Sequence, residues 1–215
     1  MFVELIDRLR CLQSHPDGCL VATTTRTVGR HIIEGTLGCP MCGAEYEIRE
    51  GAVWFGGNEI VPMPVDSRFP PDGLVRLAAM LGLDERGGLY VLDAVWSFYA
   101  RELSAMYPEA RFVLMSGSEA EGASAVLRCT SDAIPLAAGC ARGVALDRGT
   151  PALVDAAVRA LAARGRLLAP EDTDVPEAIA LLARDDDWWV GEREPTPTVS
   201  APVTPRRAAP RTGNR

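Results

Sequence analysis

The spacing of apolar and polar positions changes character along the chain, and the changes mark its elements. VELIDRLRCL puts Val3, Leu5, Ile6 and Leu9 at helix-like intervals and stops at a cysteine. CLVATTTRT, from Cys19 to Thr27, is rich in β-branched residues and predicts a strand, and HIIEGTLGC predicts a second. EYEIREGAVWF alternates Tyr46 and Ile48, turns at Glu50-Gly51, and resumes with Val53 and Phe55, which is the pattern of a hairpin. Ile60–Gly73 holds four prolines and reads as a connector.

Beyond it the pattern alternates. VRLAAMLGL predicts a helix, Leu89–Asp93 an apolar strand, and SFYARELSAMYP a helix ended by Pro108. RFVLMS, SAVLRC and Ala141–Asp147 predict three strands. PALVDAAVRALAARG predicts a strong amphipathic helix, with proline early and glycine at its end. RLLAP predicts a strand, PEAIALLARD a helix and WWVGERE a final strand. Apolar strands alternating with helices point to a mainly parallel, Rossmann-like sheet covered on both faces. The expected fold class is therefore α/β: a small, mostly β head at 1–62, a linker at 63–73, a doubly covered sheet at 74–194, and a disordered Pro/Arg tail at 195–215.

Composition narrows the functional classes. The chain has 215 residues, 47% of them hydrophobic, but no run of eighteen apolar positions, so no membrane-spanning helix is expected. Glu4 and Asp7 stand where a secretory signal would need positive charge, and the expected compartment is the cytoplasm. The net charge is −7, and the last twenty residues hold Arg206, Arg207, Arg211 and Arg215 with no acid, so the remainder carries −11. An acidic body argues against nucleic-acid binding, apart from contacts through the arginine tail.

Six cysteines in a cytoplasmic chain argue for metal or burial before disulfides. Cys39 and Cys42 form a C-x-x-C pair with Gly43 behind it, a turn in which two thiolates converge and backbone amides can point at the sulfurs. Upstream, Cys11 and His15 form a C-x-x-x-H pair within knuckle spacing. Cys19 competes with His15 for the fourth place, but it starts a strand with seven residues between it and Cys11, and the spacing favours His15. Four protein ligands leave no open position, so the expected zinc is structural. Cys129 and Cys140 each stand alone among apolar neighbours and read as small buried side chains. His31 has no identifiable acid partner and reads as a structural or surface residue. Of the Trp188-Trp189 pair, one ring is expected to be buried at the end of the sheet.

LIDRLRC followed by GTLGCPMCGAEYEIREGAVWF resembles the small zinc-ribbon activator subunits of tRNA, ribosomal-RNA and release-factor methyltransferases. The shared pattern falls on Cys11, Cys39, Pro40, Cys42, Gly43, Tyr46, Ile48 and Gly51, within about the first 58 residues. The chain departs from it after Cys11, where a histidine stands instead of a close second cysteine. Farther on, LPLAAGCARGVALDR and VRALAARGRLLAP resemble two sheet segments of class I S-adenosylmethionine-dependent methyltransferases.

That second resemblance implies an acid and a glycine run between the first body strand and the following helix. Asp93 is present, and is the one cofactor-binding candidate if S-adenosylmethionine binds. The glycines are replaced by Ala94, Val95, Trp96, Ser97 and Phe98, whose β-carbons and rings stand where backbone should approach a cofactor. The second strand ends in Met115 and Ser116 instead of an acid, with Glu119 late, and the acidic loop after the third survives only as Ser131 and Asp132. No catalytic residue is assigned. The expectation is a zinc-binding, non-catalytic methyltransferase-like protein that acts as partner, scaffold or regulator of another protein. The alternative is an active methyltransferase of a small molecule, RNA or protein.

Overall fold

The computed structural model of the chain describes residues 1–15, 18–56, 73–115, 124–129, 133–148 and 151–195. The linker prolines, the arginine tail, Ser116, Glu119, Ser131 and Asp132 lie outside the described residues.

The head opens with a 3₁₀ turn, Val3–Arg8, and continues as an antiparallel meander of β1 (Val21–Val28), β2 (His31–Gly38), β3 (Glu45–Arg49) and β4 (Ala52–Trp54). Its alternation is the one the sequence spells: Tyr46 and Ile48 point inward, while Glu45, Glu47 and Arg49 point outward. Between β3 and β4, Glu50 and Gly51 both take positive φ, 51° and 80°, as the tight hairpin turn requires.

The body supplies α1 (Gly73–Leu81), β5 (Gly88–Asp93), a 3₁₀ turn (Ala94–Tyr99) leading into α2 (Ala100–Met106), β6 (Ala110–Met115), β7 (Ala125–Arg128), β8 (Ala141–Ala145), α3 (Val154–Ala160), β9 (Leu161–Pro170), β10 (Ile179–Arg184) and β11 (Trp188–Arg193). Gly82, at φ 63°, ends α1 in a Schellman turn: the Leu83 amide donates to the Ala78 carbonyl and the Gly82 amide to that of Ala79.

All strands belong to one eleven-stranded mixed sheet, ordered β1-β2-β3-β4-β7-β6-β5-β8-β9-β11-β10. β7, β6, β5, β8 and β9 are parallel, and β11 inserts antiparallel between β9 and β10. Side chains alternate across this sheet. Tyr90, Leu92, Phe112 and Leu114 face a layer made by α1, the 3₁₀ turn and α2. Val91, Val113, Met115 and Val144 face α3 and the N-terminal segment, through Leu5 and Leu9.

The head is thus joined to the body by more than its linker. β4 pairs in parallel with β7, Ala52 opposite Val126 and Trp54 opposite Arg128. Leu9 forms a bridge with Leu136, the Arg10 amide donates to the Pro135 carbonyl at 2.9 Å, and the Ala137 amide donates to the Arg8 carbonyl at 2.7 Å.

Two sequence expectations are corrected. PEAIALLARD forms strand β10 instead of a helix, because pairing with β11 supplies its hydrogen bonds and buries Ile179 against Gly191. Helix propensity yields there to tertiary pairing. The helix predicted to run to Gly165 ends at Ala160: Leu161 turns extended, is fully buried, and pairs with Ala141 as the first residue of β9.

Candidate functional site

Two places gather chemistry-bearing side chains. The first is in the head. Cys11 follows the N-terminal segment, His15 closes the next turn, and Cys39 and Cys42 sit at the tip beyond β2. Their four ligand atoms lie within 4.8 Å of one another. Cys11 Sγ is 3.7 Å from Cys42 Sγ, and His15 Nε2 is 3.3 Å from Cys39 Sγ. Two thiolates bound at about 2.3 Å to one zinc would lie about 3.8 Å apart, so the spacing fits a shared ion. Three sulfurs and an imidazole are also the donor set that such an ion takes in closed sites. Cys39 is buried and Cys42 exposed, which places the cluster at the surface of the head. Cys19 is exposed and bridges Arg10 outside this group.

The backbone favours thiolates here. Burial pushes the Cys39 thiol up, but the amides of Cys42 and Met41 outweigh it and hold the group below its ordinary value. Burial also pushes Cys11 up, and the Tyr46 hydroxyl and the Gln13 amide bring it below. Cys42 sits above its ordinary value: the Ala44 amide lowers it, but burial and the neighbouring thiols prevail, as three close thiols cannot all ionise without a cation among them.

The sequence marks Tyr46 as a hairpin position and part of the ribbon-like pattern, not as a partner of the cluster. Its hydroxyl lies 3.0 Å from Cys11 Sγ and accepts the Leu12 amide at 3.2 Å, while its ring packs 4.6 Å from that of Phe55. Burial, followed by the Cys11 contact, pushes its hydroxyl up to about 12. The inward alternation of Tyr46 and Ile48 is the signal that could have placed it there.

The second place is the switch point of the body sheet. β5 lies between β6 and β8, and the chain reverses its direction of travel across the sheet at that boundary, where α/β folds form crevices at the carboxyl ends of their strands. Asp93 ends β5 and Asp147 follows β8, and both are buried. The Asp147 amide donates to Asp93 Oδ2 at 3.4 Å, and the Val95 and Arg148 amides donate to the Asp147 carboxylate. Burial pushes the Asp147 carboxyl above its ordinary value, against the pull of these amides. A second acid at the end of the neighbouring strand is readable in the sequence as ALD, Ala145 to Asp147.

Trp96 crosses this boundary. Leaving β5 in the 3₁₀ turn, its indole is buried to 8% exposure, donates from Nε1 to the Leu146 carbonyl at 2.9 Å, and meets Trp188 edge-on at 4.8 Å. No residue of Ala94–Tyr99 takes the positive φ that glycines would permit. Phe98, in contrast, is 47% exposed.

Cys129 and Cys140 are half-buried, and burial pushes both thiols up. His31 is exposed beside Phe2. Trp189 is fully buried while Trp188 is partly exposed. Among the described residues no helix is long and apolar enough to cross a membrane.

The sequence matches no protein-family model, and no curated protein matches it. The structure aligns with solved methyltransferases. The antibiotic-resistance methyltransferase Kmr aligns at 12% identity over 57% of this chain and 93% of its own, with a TM-score of 0.39. The putative methyltransferase yhhF from Escherichia coli aligns at 16% identity over 62% and 92%, also with a TM-score of 0.39. P. horikoshii TYW2, solved in complex with MeSAdo, aligns at 10% identity over 73% and 69%, again at 0.39. These similarities are too low to carry a function across.

Proposed function

We propose that this chain is a non-catalytic, methyltransferase-like protein, stapled at its head by one structural zinc and acting through contacts with another protein. The head would be a zinc ribbon of the activator-subunit kind, held by Cys11, His15, Cys39 and Cys42 and docked in cis on the body through the β4–β7 pairing. When bound, zinc supplies a cross-link between the N-terminal turn and the β2–β3 tip. In this reading it has no role in chemistry, since four protein ligands leave no position for substrate.

The observation that carries the non-catalytic reading is Trp96. Its indole ties the end of β5 to Leu146 beyond β8, across the boundary where a cofactor would enter. The two acids there are occupied by backbone amides. The alternative, an active S-adenosylmethionine-dependent methyltransferase, draws on the order of the body strands and on Asp93 and Asp147 at the switch point.

Calorimetric titration with S-adenosylmethionine and its demethylated product separates the two. Absence of heat at millimolar ligand is the expected result. Micromolar binding that Asp93→Ala abolishes would restore the enzyme.

A further inference from the structure

The three cysteines of the cluster are not equally supplied with hydrogen-bond donors. Cys39 receives the amides of Cys42 and Met41, and Cys42 receives the amide of Ala44, as the turns of a C-x-x-C pair arrange. Cys11 belongs to a C-x-x-x-H pair. Its sulfur takes the Gln13 amide at 3.4 Å, an ordinary distance for N–H to sulfur. A donor aimed at a ligating sulfur stabilises its charge and fixes its orientation.

Tyr46 adds a side-chain donor to Cys11. Its oxygen accepts the Leu12 N–H at 3.2 Å, which engages a lone pair and leaves the phenolic proton for Cys11 Sγ at 3.0 Å. The ring is 5% exposed and held against Phe55, so the hydroxyl is presented by the packed hairpin and not by a mobile side chain.

We infer that Tyr46 is a positioning residue for metal binding: its hydroxyl donates to Cys11 Sγ beside the Gln13 amide and fixes that sulfur for the ion. The inference rests on the reading of Cys11, His15, Cys39 and Cys42 as a metal site. It ties β3 to the first ligand of the N-terminal turn, so metal affinity depends on the hairpin being folded.

Tyr46→Phe tests it in the full chain, since phenylalanine keeps the ring against Phe55. Affinity is read by competition for Zn²⁺ against a chromophoric chelator, and site geometry by the absorption of the Co²⁺-loaded protein. Thermal unfolding of the metal-stripped chains is measured alongside. The expected result is a roughly 10–100-fold loss of Zn²⁺ affinity with a shifted sulfur-to-Co²⁺ charge-transfer band, at unchanged stability of the stripped protein. Affinity within twofold of wild type would overturn the inference. An affinity loss matched by equal destabilisation of the stripped chain would also overturn it, by showing a structural role only. A wild-type chain that takes up neither metal would sink the metal site itself, and Tyr46 with it.

Discussion

Leu9→Ala tests whether head and body unfold together. Leu9 is fully buried, two residues before Cys11, and bridges Leu136 in the body. Besides the β4–β7 pairing, four backbone hydrogen bonds among the described residues tie head to body: Phe2 to Ser124, Arg10 to Pro135, Ala137 to Arg8, and Phe55 to Arg128. At about 0.5–1.5 kcal/mol net each they contribute roughly 2–6 kcal/mol. Burial of Leu9 adds about 2 kcal/mol. That sum approaches the 5–15 kcal/mol by which whole domains are stable, so neither part should open while the other stays closed. Truncating Leu9 removes its transfer energy and leaves a cavity, at a cost of about 2–5 kcal/mol. For a chain of this size, about 3 kcal/mol lowers the melting temperature by roughly 6–12 °C. The assay is urea unfolding followed by fluorine NMR of fluorotryptophan-labelled protein. Trp54 reports on the head, and Trp96, Trp188 and Trp189 report on the body. All four signals should move to lower urea together. If the Trp54 signal alone shifts while the other three keep the wild-type midpoint, the cooperative joint is refuted.

Purified protein should carry about one zinc per chain, and Cys39→Ser or Cys42→Ser should lose it, as metal analysis would show; a fully folded, metal-free wild type contradicts the site. His15→Ala should release zinc and Cys19→Ser should retain it, and the reverse outcome reassigns the fourth ligand. Trp96→Ala should cost about 3–5 kcal/mol in denaturant unfolding, because it deletes a buried indole and orphans the Leu146 carbonyl. Asp147 has a folded-state pKa raised by burial, so the folded state binds its proton before the unfolded state does. Its contribution to stability should therefore rise as pH falls from the raised value toward the ordinary value of 3.8, and Asp147→Asn should flatten that rise in unfolding measured across the window.

What the sequence revealed follows from the range of the interactions involved. The β3–β4 hairpin was legible because its turn residues and its alternation are local: Glu50-Gly51 fixes the register that Tyr46 and Ile48 need. The Cys11–His15 and Cys39–Cys42 pairs were legible for the same reason, since each is a turn whose spacing brings two ligand atoms together. What the sequence could not show is that β4 continues the body sheet through β7, because nothing in AVW or AVLR encodes a partner 74 residues away. The same blindness produced the two element errors. IALLAR carries helix-forming residues at mixed spacing, and the hydrogen bonds that make it β10 come from β11. Leu161 sits in register with a helix face but is taken by Ala141.

Trp96 shows how far a steric reading goes without coordinates. Missing glycines after Asp93 say only that backbone cannot approach a ligand there as glycine would allow. They do not say what occupies the space, and a bulky residue in a turn can point to solvent, as the exposed Phe98 does. The structure separates the two. The indole turns inward because Leu146 offers a carbonyl beyond the last bonded residue of β8 and Trp188 offers an edge contact from β11. Trp188 in turn lies under the Arg148 guanidinium, 5.5 Å from its ring centre. The indole of Trp96 thus links the turn after β5 to Leu146 beyond β8 and to Trp188 of β11 at the switch point. Opening that boundary would break a buried indole hydrogen bond and a ring contact together, at a combined cost of roughly 2–4 kcal/mol before any ligand contact is made. A ligand whose binding displaced that indole would therefore bind more weakly, by a factor of about 30–1000, than one entering a preformed crevice.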